Sequence, residues 1–309
     1  MPDDAKEAGS AAKRLRVAVT GAGGMLGRAV VAELRGTHEV LPLVRADCDL
    51  ADTARTRAVL AAFAPQAILH CAAWTDVDGC EADPERARSE NTVATANVAD
   101  AARECGARLL AVSTDYVFDG ALERPYREDD AMAPLNVYGR TKRAGEESVL
   151  RLGANALVVR TSWLFGPGGR NFVRTMAGLL RTQDEVRVVG DQIGSPTYTL
   201  DLAPALGRLV ESEHSGILHV TNSGVCSWYE LAAAIEAELA TGCRLVPCRS
   251  DEFPRPARRP RNSVLDNGRY HASGSLPLRP WRAALHAYLE ANRGELGVGG
   301  ESRTGGRGS

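Results

Sequence analysis

The fold is decided near the N-terminus, by Leu15-Arg16-Val17-Ala18-Val19-Thr20 and the stretch Gly21-Ala22-Gly23-Gly24-Met25-Leu26-Gly27 that follows it. The first run predicts a buried strand, and residues 25–35 predict an amphipathic helix. The spacing Gly21-x-x-Gly24-x-x-Gly27 suits a tight turn, close backbone approach to a pyrophosphate, and close packing of helix on strand. A glycine motif alone is a weak signal, but here strand and helix flank it. The stretch therefore predicts a dinucleotide-binding turn.

Beyond this turn, short apolar runs alternate with amphipathic stretches. Such alternation predicts a parallel sheet with helices on both faces, that is, an α/β fold with a Rossmann-type doubly wound sheet. The predicted strands are 40–44, 67–71, 107–112 and 156–161, and the predicted helices are 53–63, 84–105 and 135–152.

The chain divides into four regions by composition and pattern. Residues 14–165 form the predicted NAD(P)-binding domain, with returning segments near 190–221. Residues 166–293, where the alternation loosens, form mainly a substrate-binding region. Residues 1–13 and 294–309 are rich in Gly, Ser and charge, which predicts disordered tails.

Composition excludes several function classes. The 309 residues carry a formal net charge of −2, which gives no reason to expect a nucleic acid or a membrane surface as partner. No apolar run approaches the roughly 20 residues that span a bilayer, and no signal-peptide pattern opens the chain, so a cytoplasmic location is expected. The seven cysteines are irregularly spaced and predict reduced thiols. The sequence predicts no metal site.

Lysine usage singles out one position. Of three lysines, only Lys142 lies outside the N-terminal tail, in Tyr138-Gly139-Arg140-Thr141-Lys142. On a helix this spacing places the phenol and the ammonium on one face, one turn apart. A nearby cation would lower the pKa of Tyr138 and suit it to general acid catalysis. At a cleft edge, Lys142 would contribute little to folding. Thr114, at the end of the fourth strand, is the third catalytic candidate, placed to hydrogen-bond a substrate oxygen.

The end of the second strand bears on cofactor choice. It reads Leu43-Val44-Arg45-Ala46-Asp47, without an acid at the strand tip to bind a ribose 2′-hydroxyl. Arg45 would suit a 2′-phosphate, so NADPH is preferred and NADH stays open as an alternative. Asp49 and Leu50 are placed to contact the adenine.

Six stretches resemble the extended short-chain dehydrogenase/reductase family, over about residues 15–291. Within it they are similar to reductases of dTDP-linked 4-keto-6-deoxy sugars. The stretches are Ala72-Ala73-Trp74-Thr75-Asp76-Val77-Asp78 with Glu81, Ser113-Thr114-Asp115-Tyr116-Val117-Phe118-Asp119-Gly120, Tyr138-Gly139-Arg140-Thr141-Lys142, Arg160-Thr161-Ser162-Trp163-Leu164-Phe165-Gly166, Asp191-Gln192-Ile193-Gly194-Ser195-Pro196-Thr197 and Arg258-Arg259-Pro260-Arg261-Asn262-Ser263.

The resemblance implies a reaction and a role for each matching residue. The reaction is NADPH-dependent reduction of the C4 ketone of dTDP-4-dehydro-β-L-rhamnose. Tyr138 would donate the proton, Lys142 would bind the nicotinamide ribose, and Thr114 would hold the sugar oxygen beside Asp115 and Trp163. The remaining implied cofactor contacts are Gly24, Met25 and Leu26 at the pyrophosphate, Ala73, Trp74 and Thr75 along the ribose, and Val112.

Other functions stay open. A related ketoreductase of an antibiotic pathway, of the dihydrostreptose type, would use the same residues. A nucleotide-sugar epimerase would share Thr114, Tyr138 and Lys142, but the stretches 191–197 and 258–263 fit a reductase better. A non-catalytic regulatory subunit of methionine adenosyltransferase is a further alternative, against which the intact Tyr138, Lys142 and Thr114 argue. A homodimer and a Mg²⁺ ion bridging subunits are also left open.

Overall fold

The computed structural model describes residues 14–296, and the predicted tail 1–13 and residues 297–309 lie outside that range. At its centre six parallel strands form one sheet in the order β10-β5-β4-β3-β1-β2. These strands are β1 (Arg16–Thr20), β2 (Glu39–Leu43), β3 (Ala67–His70), β4 (Arg108–Thr114), β5 (Ala156–Thr161) and β10 (Gly216–His219).

Helices cover both faces of this sheet, which confirms the predicted doubly wound fold. The helices are α1 (Met25–Leu34), α2 (Thr53–Phe63), α3 (Val77–Ala82), α4 (Pro84–Ala87), α5 (Ala94–Cys105), α6 (Val137–Leu150), α7 (Phe172–Thr182), α8 (Thr199–Glu211), α9 (Trp228–Leu239), α10 (Gly268–Ala272) and α11 (Trp281–Ala291). On one face α1 and α8 pack on the sheet, and on the other α2 and α5 do so, each through a buried apolar cluster.

The strand order places a crevice between β1 and β3, because the chain runs from β1 outward to β2 and then returns to the other side. Ligands of open parallel sheets bind at such a switch point, beyond the carboxyl ends of the strands. Gly21 follows β1 there, with a φ of +69°. A Cβ atom on Gly21 would lie 2.6 Å from the backbone nitrogen of Ala72, which follows β3. Only glycine therefore fits this turn.

A third apolar cluster unites α7, α9 and α11 with a parallel two-stranded ladder that the sequence did not predict. The strands outside the main sheet are β6 (Leu164–Phe165), β7 (Glu185–Val189), β8 (Ile193–Gly194), β9 (Thr197–Tyr198), β11 (Asn222–Ser223), β12 (Cys226–Ser227), β13 (Arg244–Cys248) and β14 (Leu278–Pro280). Of the predicted C-terminal tail, residues 294–296 are described, and the side chain of Leu296 is buried in this cluster. These three residues belong to the folded body.

The helix predicted over 84–105 is interrupted. Between α4 and α5, residues Arg88–Val93 form a π-helical turn. Such turns are frequent at functional sites, because the wider winding reorients side chains. Within the described residues, no helix is long and apolar enough to cross a membrane.

Candidate active site

A cavity of about 330 Å³ opens at the switch point of the sheet. Residues from the ends of β1, β2 and β3 line it, together with residues of the π-helical turn and α5: Gly21, Gly23, Gly24, Leu43, Val44, Arg45, Cys48, Asp49, Leu50, Cys71, Ala72, Ala73, Glu90 and Ala94. A Cβ atom on Gly23 would lie 3.3 Å from the Val44 side chain, so glycine keeps the space between the turn and the end of β2 open. The residues present therefore fit a dinucleotide.

Not every predicted cofactor contact lines this cavity. The side chain of Leu26 is buried in the core, and Met25 packs against the loop at Gly169. Gly27 packs on the glycine turn itself, where a Cβ atom would overlap the carbonyl oxygen of Gly21. For these three residues, the part that faces the glycine turn is the backbone at the start of α1.

The Trp74 backbone is fixed by a buried amide. The Asn91 side-chain oxygen accepts a hydrogen bond from the Trp74 nitrogen at 2.7 Å, and its amide donates to the Trp74 carbonyl at 3.1 Å. The same amide donates to the Thr141 hydroxyl on α6 at 3.2 Å. Asn91 thus joins the loop after β3 to the helix that carries Tyr138 and Lys142. Thr75, the next predicted contact, is exposed.

Lys142 is buried rather than at a cleft edge, with 6% of its surface exposed. Its ammonium donates a hydrogen bond of 2.9 Å to the Val112 carbonyl on β4. Burial lowers the pKa of Lys142 to about 8, although the charges of Glu146 and Cys71 oppose the shift. The expected position at a cleft edge was therefore wrong, because the side chain is enclosed. A buried ammonium whose pKa lies close to neutral pH is suited to hydrogen-bond a ligand hydroxyl.

Tyr138 lies beside Thr114, at the carboxyl end of β4. Burial raises the pKa of the Tyr138 phenol, and the interaction with the Thr114 side chain, which lowers it, does not compensate. The sequence predicted a lowered pKa, and that prediction was wrong, because desolvation outweighs the other influences. A protonated phenol is nevertheless the form that can donate a proton.

Asp115 follows Thr114 and is fully enclosed. The Thr114 hydroxyl donates to one Asp115 carboxylate oxygen at 3.0 Å, while the other oxygen is buried without a hydrogen-bond partner among the described residues. Burial raises the pKa of Asp115 to about 7, although the nearby Ser263 and Thr114 hydroxyls oppose this shift. An unpartnered buried carboxylate oxygen is costly, and such groups concentrate at functional sites.

Trp163 has a strained backbone conformation. Its φ is +48°, in the left-handed region that non-glycine residues rarely adopt. Its indole stacks on Trp228, with centroids 3.4 Å apart and planes 4° from parallel, and presses against Gly194. Sequence reasoning missed Trp228, since it begins a helix 65 positions away and has no local signature.

A second cavity of about 310 Å³ lies beside this stack. Trp228, Phe253 and the cations of Arg187, Arg255 and Arg259 are among its walls. The rings and cations suit an anionic ligand that carries a planar base.

One carboxylate connects this cavity to the dinucleotide side. Asp78 on α3 accepts hydrogen bonds from Arg259 at 2.8 and 3.1 Å. The Asp78–Arg259 pair thereby bridges the two sides of the cleft. Both residues lie in stretches that carry the family resemblance, but the sequence alone predicted no role for either of them.

Arg45 does not stand free at the cavity rim. Its guanidinium lies 2.7 Å from the Glu90 carboxylate and 3.9 Å from that of Asp49, although 63% of its side chain is exposed. Sequence reasoning did not foresee Glu90, because the contact joins two distant segments.

The sequence matches the RmlD substrate binding domain family over residues 15–293, nearly the whole described structure. The chain belongs to this family. A dTDP-4-dehydrorhamnose reductase from Mycolicibacterium smegmatis is 45% identical, covering 89% of this chain and 85% of that relative. A dTDP-4-keto-6-deoxy-D-glucose reductase from Streptomyces niveus is 43% identical, covering 86% and 94%.

Among solved structures, the dTDP-4-dehydrorhamnose reductase from Bacillus anthracis in complex with NADP superposes with a TM-score of 0.87. It is 36% identical, and the match covers 90% of this chain and 100% of that one. The predicted resemblance to nucleotide-sugar reductases is confirmed. Across the part of this RmlD-family chain that the structure describes, no cluster of three or more His, Cys, Asp or Glu residues could hold a metal ion.

Proposed function

We propose that this protein is an NADPH-dependent reductase that converts the C4 ketone of dTDP-4-dehydro-β-L-rhamnose to the hydroxyl of dTDP-β-L-rhamnose. One observation carries the proposal: Tyr138 and Lys142 are buried on one face of α6, beside Thr114 and next to a dinucleotide cavity. Close relatives with matching activities support it.

The chemistry assigned to the chain is proton donation and positioning. When bound, NADPH would supply the hydride that adds to the C4 carbon. Tyr138 would donate its phenolic proton to the C4 oxygen, so that carbonyl, hydride and proton together give the secondary alcohol. Thr114 would hold that oxygen by hydrogen bonding, and Lys142 would bind ribose hydroxyls and stabilise the phenolate left by proton transfer.

The second cavity supports a nucleotide-linked sugar. Arg255 and Arg259 would meet the pyrophosphate, while Phe253 and Trp228 offer aromatic surface to the base. Trp163 and Asp115 would then lie along the sugar between this cavity and Tyr138.

NADPH is the proposed cofactor because Arg45 lines the cavity and because the Bacillus anthracis relative holds NADP. NADH stays open as a weaker alternative. The intact Tyr138, Lys142 and Thr114 do not favour a non-catalytic regulatory subunit. A homodimer, a cytoplasmic location and an effect of Mg²⁺ stay predictions; light scattering of the purified protein and assays with a chelator test the first and the last.

The deciding experiment is an assay of cofactor oxidation with two sugars and two cofactors. The sugars are dTDP-4-dehydro-β-L-rhamnose and dTDP-4-keto-6-deoxy-D-glucose, each offered with NADPH and with NADH. The proposal predicts the highest kcat/KM for the first sugar with NADPH. Faster reduction of the second sugar would move the assignment to a related deoxysugar reductase, and no oxidation with either sugar would refute a reductase.

A further inference from the structure

We infer that Glu90 is a cofactor-specificity residue, whose carboxylate holds the Arg45 guanidinium and competes with a 2′-phosphate for it. This inference rests on the proposed function, because it concerns how the same cavity distinguishes NADPH from NADH.

Two arginines share one Glu90 oxygen at the cavity rim. Arg45 Nη1 and Arg86 Nε each lie 2.7 Å from Oε1 of Glu90. The Arg86 guanidinium is also stacked over the Trp74 ring, 4.1 Å from its centroid. Glu90 is the more enclosed partner, with 16% of its side chain exposed against 63% for Arg45. The carboxylate is therefore the fixed element of the cluster, and Arg45 is the element that can turn.

The π-helical turn Arg88–Val93 explains how Glu90 reaches this rim. Within it two consecutive side chains serve the cofactor side: Glu90 faces Arg45, and Asn91 holds the Trp74 backbone. In a regular α-helix consecutive residues are about 100° apart and face different surroundings. The wider turn lets Glu90 line the cavity while Asn91, the next residue, is buried and fixes the loop that follows β3.

The charges of this cluster cancel. Two cations, Arg45 and Arg86, face two carboxylates, Glu90 and Asp49. Burial alone would raise the pKa of Glu90, but the hydrogen bonds from both arginines lower it below its ordinary value. Glu90 is thus ionised near neutrality. A 2′-phosphate would meet a neutral rim, and would have to replace Glu90 as the partner of Arg45.

The same carboxylate is a suitable acceptor for a ribose 2′-hydroxyl, the contact that an acid at the end of the second strand makes in other dinucleotide folds. Glu90 therefore supplies, from the π-helical turn, the acidic side chain that is missing at the tip of β2. Its charge opposes NADPH and supports NADH, so that Arg45 and Glu90 together set a moderate preference.

The test is the dissociation constant of each reduced cofactor, measured by nicotinamide fluorescence without sugar substrate. Glu90→Gln preserves size and removes the charge, and should raise the ratio Kd(NADH)/Kd(NADPH) about tenfold, a typical effect of one close charge. Glu85→Gln is the matched control, because it removes the same charge from an exposed position on the adjoining α4. It should change the ratio less than about twofold, since exposed charges are screened.

A double-variant cycle separates competition from general electrostatics. In an Arg45→Ala background, Glu90→Gln should change the ratio less than in the native protein, because the part of the effect that comes from releasing the arginine is gone. An equal effect in both backgrounds, or an unaltered ratio in Glu90→Gln, overturns the inference. A native protein that binds both cofactors but reduces no nucleotide sugar would refute the proposed function alone. Failure to bind either cofactor would refute both.

Discussion

The Lys142 ammonium donates a 2.9 Å hydrogen bond to the Val112 carbonyl, thirty residues earlier in the chain, and so ties α6 to the strand that carries Thr114. This bond fixes how far the Lys142 ammonium reaches toward the sheet, as well as its position along α6. The ammonium has two further protons, which would be available to ribose hydroxyls and to the Tyr138 phenolate.

Lys142→Arg should lower kcat/KM on the order of 10²-fold or more, about 2.7 kcal/mol of transition-state stabilisation. The substitution keeps the charge, but a planar guanidinium is longer and broader than the ammonium, and the site is buried. Thermal unfolding should also occur at a lower temperature, because the larger group must enter an enclosed space.

Arg143→Lys is the control for this substitution. Arg143 is the next residue on α6, with an exposed side chain paired to Glu147, so the exchange should leave kcat/KM within about twofold. Near-native turnover by Lys142→Arg would mean that any cation suffices at this position.

The pH dependence should carry the signature of Lys142. Its pKa is lowered to about 8, so the ammonium loses its proton as pH rises through that value. The kcat/KM of the native protein should therefore fall above about pH 8, whereas Lys142→Arg, weak as it is, should show no fall there because arginine stays protonated. A native profile that stays flat to pH 10 would contradict the assignment.

The contribution of Lys142 to stability should rise with pH, whereas its contribution to kcat/KM should fall. The ordinary lysine pKa is 10.5, so between about pH 8 and that value the unfolded chain binds a proton that the folded protein has released. The Lys142 contribution to the free energy of unfolding therefore increases with pH across this window.

Local sequence patterns were sufficient for the sheet and for placing Tyr138 and Lys142 one turn apart on one helix. The glycine turn and the spacing along one helix are short-range features, and the structure places them as their periodicity requires. The Arg45–Glu90 pair, the Trp163–Trp228 stack and the Asp78–Arg259 bridge were not foreseen. Each joins segments far apart in sequence, and nothing local marks the partners.

The ladder of β7 and β13 was missed for a related reason. β7 alternates buried and exposed residues, and β13 includes Pro247 and buries only Cys248 fully. Neither strand reads as a buried run, and their parallel pairing is fixed by the helices packed on them. The direction of the Tyr138 pKa shift also needed the structure, because burial is not visible in the Tyr-x-x-x-Lys spacing.

Arg45→Asp should move cofactor preference from NADPH toward NADH. It removes the cation that would meet a 2′-phosphate and leaves three carboxylates at the rim, with Asp49 and Glu90. The ratio of kcat/KM for the two cofactors is the measurement, and a change of about tenfold or more is expected.

Arg57→Asp is the matched charge reversal on the surface, where Arg57 pairs with Glu104 at 3.0 Å. It should leave the cofactor ratio unchanged. If Arg45→Asp also leaves it unchanged, Arg45 is only the partner of Glu90.

Gly194→Ala should raise the KM for the sugar nucleotide while leaving the cofactor Kd nearly unchanged. The added Cβ atom would lie 2.5 Å from Cε2 of Trp163, so the indole must move off its stack with Trp228. An increase in KM of roughly tenfold corresponds to about 1.4 kcal/mol of lost substrate binding.

Gly178→Ala provides the comparison. Gly178 lies inside α7, and apart from its own helix backbone and chain neighbours no atom of the described residues stands within 4 Å of the position of its missing Cβ. This exchange should leave KM unchanged and raise stability by up to about 1 kcal/mol, since glycine is unfavourable within a helix. An unaltered KM in Gly194→Ala would exclude Trp163 from the sugar pocket.

The proton-donor role of Tyr138 is tested most directly by the kcat/KM of Tyr138→Phe for NADPH-dependent reduction of dTDP-4-dehydro-β-L-rhamnose. The native protein and Tyr229→Phe on α9 are measured beside it. We expect a loss of roughly 10²- to 10⁴-fold for Tyr138→Phe, with little change in the Kd for NADPH, and native activity for Tyr229→Phe. Turnover by Tyr138→Phe within a few-fold of the native protein would contradict its role as the proton donor.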